Sequence, residues 1–321
     1  MEPTDIKKRL KALVSKKPDT LIISDLKWKY LCRNVIRGKN ILILGPTGCG
    51  KTLAVNSVGK LFVPDENYFC FNLGSTQDAR VSLIGNTNFD KATGTVFNES
   101  KFVSAIRTEN AIILLDEISR AHPDAWNILM SVLDPIQRYL RLDEHREGEI
   151  VKVAKGVTFL ATANVGNEYT STKVMDRALL NRFNVKIEME PLGLSDEFNL
   201  LKNRLSITDE TELETLNALL KICEHTRNEI KKPESKLSNF ISTRDAVEMA
   251  ELIVDGFSLV EIAENVIYPN FEADGGVDSE RTFVKQIVQK YVAAPNLPKT
   301  LFPSSGGTAA STPVPDSKVP F

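Results

Sequence analysis

The stretch Ile41-Leu42-Ile43-Leu44-Gly45-Pro46-Thr47-Gly48-Cys49-Gly50-Lys51-Thr52 decides how this chain is read: an apolar strand runs into a glycine-rich loop that closes on Lys-Thr. Such a loop lets successive backbone N–H groups converge on phosphate oxygens, and the helix predicted from Leu53 to Lys60 turns its positive end toward the same anion. Gly45, Pro46, Thr47, Gly48, Cys49, Gly50, Lys51, Thr52 and Leu53 are therefore the expected nucleotide cradle. Lys51 is placed to reach the β- and γ-phosphates as a point charge, and the Thr52 hydroxyl to coordinate Mg²⁺.

A second apolar run, Ala111-Ile112-Ile113-Leu114-Leu115, ends in Asp116-Glu117. Two acids at the end of a buried strand suit hydrolysis better than a structural turn. Asp116 is expected to take an outer position on Mg²⁺, and Glu117 to orient and deprotonate the attacking water. The plainer alternative, an exposed acidic strand end, loses ground once the phosphate loop is considered with it.

The chain has 321 residues, with 40 Lys and Arg against 42 Asp and Glu, enough to bury a sizeable core and to divide into two packed units. No stretch approaches the roughly 18 to 20 consecutive apolar residues of a membrane span. The polar start from Met1 to Lys11 lacks the apolar core of a secretory signal, so the expected location is the cytoplasm. Cys32, Cys49, Cys70 and Cys223 show no C-x-x-C pairing and read as reduced thiols. His122, His145 and His225 have no metal-ligand spacing, which leaves Mg²⁺ as the expected metal. Charge is polarised: the first 39 residues hold eleven Lys or Arg against four acids. Within them Lys7, Lys8, Arg9, Lys11, Lys16 and Lys17 surround Ile6, Leu10, Leu13 and Val14 at helical spacing. This reads as a basic amphipathic helix, docked on the core or turned toward nucleic acid or an acidic partner.

Five apolar segments, Ile41–Leu44, Tyr68–Leu73, Ile112–Leu115, Val157–Ala161 and Val185–Met189, alternate with helical patterns. That is the α/β pattern of a parallel sheet, with the phosphate loop and the acidic pair both at carboxyl ends of strands, where such sheets bind ligands. Beyond Pro191 the strands stop. Helices are predicted over Ser195–Leu205, Glu210–Lys231, Ser242–Ile253, Leu259–Ile267 and Ser279–Val292, the third opened by Ser242 or Thr243 as N-cap. The expected organisation is a basic segment over 1–39, an α/β nucleotide-binding domain over 40–192, a smaller helical domain over 193–292 and a Pro/Ser/Gly-rich flexible tail over 293–321.

In this order the elements resemble those of AAA+ ATPases. Ser82-Leu83-Ile84-Gly85, Asn88-Phe89-Asp90, Thr93-Gly94 and Phe97, leading to Phe102-Val103-Ser104-Ala105-Ile106-Arg107, resemble the helix-2 insert region of the MoxR clade, here about 74–100. Leu114-Leu115-Asp116-Glu117-Ile118-Ser119-Arg120-Ala121-His122-Pro123 resembles that clade's extended acidic motif, with the cobaltochelatase small-subunit type, including its tailed-phage versions, most similar. The resemblance covers roughly residues 20 to 290. It implies that Asn164, in Ala161-Thr162-Ala163-Asn164, is the sensor-1 amide, and that Arg244, in Ile241-Ser242-Thr243-Arg244-Asp245, is the sensor-2 arginine linking the helical domain to the γ-phosphate. Arg182, in Leu179-Leu180-Asn181-Arg182-Phe183, resembles the arginine finger donated to a neighbouring subunit, with Arg177 as the competing candidate. Gln137–Leu142 and Glu149–Val153 alternate as a β-hairpin at the pre-sensor-1 position, about 137–155.

Two classes of function emerge. In the first, a ring, hexameric as the resemblance implies, couples ATP hydrolysis to remodelling of a protein complex, with a von Willebrand A domain partner reading its state. ATP comes from the resemblance, and the residues do not exclude GTP. In the second, the chain is a nucleic-acid-processing NTPase, helicase-like or restriction-type, supported by the basic amino-terminal region. A non-hydrolysing structural ring is a third class, against which Lys51 and Glu117 stand together.

Overall fold

The computed structural model describes residues 3–75, 78–90, 94–143, 148–164 and 175–292. The charged hairpin tip Glu144-His145-Arg146-Glu147, Thr93 of the insert motif and the tail from Ala293 lie outside the described residues.

In chain order the elements are α1 (Pro3–Val14), α2 (Asp25–Ile36), β1 (Ile41–Gly45), α3 (Lys51–Phe62), β2 (Tyr68–Asn72), α4 (Ala79–Leu83), β3 (Gly85–Asp90), β4 (Gly94–Glu99), α5 (Lys101–Arg107) and β5 (Ile112–Asp116). Next come α6 (Pro123–Val132), β6 (Tyr139–Leu142), β7 (Glu149–Lys152), β8 (Thr158–Asn164), α7 (Arg177–Asn181) and β9 (Val185–Glu188). The carboxyl-terminal part is helical: α8 (Leu194–Arg204), α9 (Glu210–Glu229), α10 (Thr243–Val254), α11 (Leu259–Ile262) and α12 (Glu280–Val292).

β2, β5, β8, β1 and β9, in that spatial order, form one parallel sheet. They are the five apolar runs of the sequence. The inner strands β1, β5 and β8 are covered on both faces and carry nearly unbroken hydrophobic runs, whereas the edge strand β9 alternates, with Lys186 and Glu188 exposed. Period-2 geometry still sorts them. Leu42, Ile113, Leu115, Phe159 and Ala161 pack on one face with α4, α5 and α6. Ile41, Ile43, Ile112, Leu114 and Leu160 pack on the other with α2, α3, Leu21 and Ile23. The helical part has its own core around Leu216, Leu219, Leu220, Cys223, Met249 and Ile287.

The amino-terminal basic helix is present, with Ile6 and Leu13 buried and its lysines outward, so its apolar side docks on the chain itself. The sequence reading passed over α2, although Ser24 caps it by accepting the Lys27 N–H at 3.3 Å and Trp28, Leu31 and Cys32 are fully buried on one side. The helix predicted over Leu259–Ile267 is corrected: α-helical bonding ends at Ile262, and Ala263–Ile267 form a π-helical turn. The insert region contains the antiparallel pair β3–β4, and residues 139–152 contain the antiparallel pair β6–β7 at the expected position. The four cysteines are all free. No helix among the described residues is long and apolar enough to cross a membrane.

Phe102, fully buried on α5, meets Phe71 edge to face with ring centroids 5.3 Å apart. Phe102→Ala removes that contact and leaves a cavity beneath the sheet, with an expected loss of about 3–5 kcal/mol. A fall in urea midpoint at unchanged m-value is the measurement that checks it.

Candidate functional site

Strand register brings the motifs together before any side chain is considered. Gly45, the last residue of β1, pairs with Asn164, the last of β8, and Asn72 of β2 pairs with Asp116 of β5. Leu115 pairs with Ala161, so the next step along both strands brings Asp116 to the level of Thr162. The loop then turns into α3 through Gly50, whose φ of +87° is the left-handed cap conformation that glycine adopts without steric cost.

Lys51 is buried at the first position of α3 and donates from Nζ to the carbonyls of Gly45 at 2.9 Å and Pro46 at 2.7 Å. Burial pulls its ammonium pKa below the ordinary lysine value; the Arg244 charge adds to this, while Cys49, Asp116 and Glu117 oppose it. Burial likewise pushes the Cys49 thiol up. The Thr52 hydroxyl donates to Asp116 Oδ1 at 3.1 Å. The Thr162 hydroxyl donates to the same carboxylate oxygen and accepts the Glu117 N–H at 3.0 Å.

Glu117 itself is left-handed, with φ +55° and ψ +40°, a conformation a non-glycine residue holds only when its surroundings fix it. Its Oε2 lies 3.2 Å from the Arg120 guanidinium, and a methyl group at Gly74 would fall 2.3 Å from that same oxygen. The Asn164 N–H is held by Ser119 Oγ at 3.1 Å.

The helical part supplies the opposite wall. Ser242 caps α10 in a reciprocal box with Asp245, and a methyl group at Gly48, where φ is +76°, would fall 2.9 Å from Ser242 Cβ. The first turn of α10 thus abuts the phosphate loop and delivers Arg244 beside Lys51. Between the two parts lies a cleft of about 640 Å³. Thr47, Gly48, Cys49, Gly50, Lys51, Thr52, Leu53, Asp116, Glu117, Asn164 and Arg244 all line it, together with Thr20, Leu21 and Ile22 from the amino-terminal segment and Thr243 and Val247 of α10. Gly45 and Pro46 lie behind it, as the carbonyls that hold Lys51.

Arg182 and Arg177 do not line this cleft. Arg182 follows α7, its Nε 3.4 Å from Asp134 Oδ2 and donating to the Met130 carbonyl at 3.3 Å. Arg177 opens α7 and is exposed.

Sequence reasoning missed Thr162, Ser119, Gly74 and the segment Thr20–Ile22. Thr162 left a signal, a hydroxyl directly after the apolar run Phe159-Leu160-Ala161, while Gly74 and Thr20–Ile22 left none, because their roles come from close approach across the fold. Among the described residues no cluster of three His, Cys, Asp or Glu side chains could hold a metal ion. The hard oxygen pair of Thr52 and Asp116 has the donor chemistry of a magnesium site completed by phosphate and water.

Residues 40–183 match the AAA domain (dynein-related subfamily). A Thauera aromatica protein named "Putative chaperone BssE" is 30% identical over 223 residues, which cover 69% of this chain and 72% of that protein. An uncharacterized Staphylococcus aureus protein is 31% identical over 183 residues, covering 56% of this chain and 65% of that protein, just under two thirds of its length. Among solved structures, the closed state of Hsp104 with ATPγS and FITC-casein aligns with TM-score 0.49 at 17% identity, over 64% of this chain and 40% of that one. With its sheet, phosphate loop and acidic strand end in place, the chain belongs to the AAA family, in the dynein-related subfamily.

Proposed function

We propose that the protein is a ring-forming ATP hydrolase that spends each turnover on remodelling a protein partner. The observation that carries this reading is the hydrogen bond from Thr52 to Asp116 in the cleft that Lys51, Glu117, Asn164 and Arg244 also line. A binding module needs the cradle alone, whereas a base beside a cation-binding pair serves hydrolysis.

In this reading the loop N–H groups and the amino terminus of α3 hold the triphosphate, and Lys51 moves from the Gly45 and Pro46 carbonyls onto the β- and γ-phosphates. Thr52 and Asp116 would hold Mg²⁺, with Thr162 fixing the Asp116 carboxylate. Such an ion, when bound, would supply positive charge against the triphosphate. Glu117 accepts a proton from water as its oxygen attacks the γ-phosphorus, Asn164 holds that water, and ADP leaves as the bridging bond breaks. Arg244 senses the γ-phosphate and carries the change to the helical part. Arg182, outside its own chain's cleft, serves a neighbour's nucleotide, which requires a ring, a hexamer by the MoxR and cobaltochelatase resemblance, and the parting of its contact with Asp134. The chaperone in the name of the Thauera relative supports a protein client, and a von Willebrand A domain protein is the partner proposed.

Light scattering on Glu117→Gln, with and without ATP and Mg²⁺ and with a short DNA duplex in parallel, tests the reading. A nucleotide-dependent hexamer indifferent to DNA is expected; a monomer mass in every arm overturns the ring, and assembly only on DNA moves the protein to the nucleic-acid-processing class. The same variant should bind ATP while kcat falls by roughly 10²–10⁴, and Lys51→Ala should abolish tight binding. Gly74→Ala should displace the Glu117 carboxylate and lower kcat about 10²-fold at unchanged nucleotide Kd, by steady-state kinetics and equilibrium titration. Arg182→Ala should lose roughly 10³-fold or more in kcat. Mixed rings supplying Arg182 from wild-type neighbours should recover activity, and failure at every mixing ratio would assign the residue a role within its own chain.

A further inference from the structure

The helical part buries an ion pair that the reaction above does not use. Glu197 on α8 and Arg227 on α9 have side chains only 1% and 6% exposed. They meet through two hydrogen bonds, 2.7 Å to Oε2 and 3.0 Å to Oε1. The third guanidinium donor, Nε, is given to the carbonyl of Ile241 at 2.7 Å. Beside it, Thr226 Oγ1 accepts the Ile241 N–H at 3.2 Å while donating to the Cys223 carbonyl at 2.8 Å. Both main-chain polar groups of Ile241 are therefore held by α9. The next three residues are Ser242, seated against Gly48, Thr243, and Arg244, which lines the nucleotide cleft.

Burying two charges is expensive, and an apolar pair of similar volume commonly serves stability as well. What an apolar pair cannot supply is the planar fork, which fixes one carboxylate and one carbonyl in a single plane. Burial pulls the Arg227 pKa down, and the hydrogen bonds and charge of Glu197 more than offset it, so the guanidinium stays charged where it sits.

We propose that Glu197 and Arg227 are positioning residues for the nucleotide: by clamping Ile241 they set where Ser242 and Arg244 stand against the phosphate loop. The inference rests on the reading that Arg244 contacts the γ-phosphate. It assigns the pair to the coupling between the helical part and the cleft rather than to folding alone.

The test is a cycle. The paired apolar replacement, Glu197→Leu with Arg227→Met, and the single change Arg227→Lys are each made in the natural chain and in Arg244→Ala, with melting temperature, kcat and KM for ATP measured for all. In the natural background either change should lower kcat/KM by about ten- to a hundredfold, since a small misplacement of a distant group has this size of effect. In the Arg244→Ala background neither should cost more, because the clamp acts through Arg244 and the losses do not add. Losses that multiply in that background overturn the proposal and leave the pair a structural role. So does natural kcat/KM in a folded Arg227→Lys protein, which keeps the charge and settles the matter if the apolar pair fails to fold. Arg244→Ala with unchanged kcat/KM removes the nucleotide contact itself, and the inference falls with that reading rather than on its own geometry.

Discussion

The Asp116 carboxylate is the point on which the site depends. One of its oxygens receives hydroxyls from Thr52 at the start of α3 and from Thr162 in β8, while Asp116 itself ends β5. Three elements are pinned at one atom, and the Glu117 N–H closes the arrangement by donating to the same Thr162 hydroxyl. A carboxylate so held has little freedom left to lose, which is preorganisation in the physical sense. The left-handed backbone at Glu117 is held by its N–H bond to Thr162, and the absence of a side chain at Gly74 leaves room for its carboxylate.

The second constraint joins the two parts of the molecule. The α/β unit carries the phosphate loop, Thr52, Asp116 and Glu117, and none of these comes from the helical part. Arg244 does. It is delivered by the first turn of α10, which approaches the phosphate loop so closely at Gly48 that even a methyl group there would meet Ser242. The two parts therefore meet directly at the phosphate loop, and Ile241, two residues before α10, is buried with both its main-chain polar groups hydrogen-bonded to α9.

Legibility in the sequence tracked how local the physics was. The inner strands β1, β5 and β8 were visible because burial on both faces leaves each with a short apolar run, and the start of α10 was readable from the hydroxyl residues Ser242 and Thr243, of which the structure makes Ser242 the cap. Helix α2 was overlooked because Lys27, Lys29 and Arg33 among its apolar positions read as part of a basic segment, although Trp28, Leu31 and Cys32 face the core. The π-helical turn after Ile262 was not readable, since nothing in Ala263–Ile267 distinguishes it by composition from ordinary helix.

By itself the sequence determined the phosphate loop, the acidic strand end, the parallel α/β class and the helical character of the carboxyl-terminal part, because each rests on contacts between near neighbours or on a short repeating pattern. Tertiary structure alone decided that Thr162 bonds Asp116, that Gly74 makes room for the Glu117 carboxylate, that Arg182 lies outside its own cleft against Asp134, and that Arg227 joins Glu197 to the Ile241 carbonyl. Those relations join residues from distant parts of the chain. Their energies depend on packing distance and orientation, which a linear pattern does not carry until the strands are in register and the helices are docked.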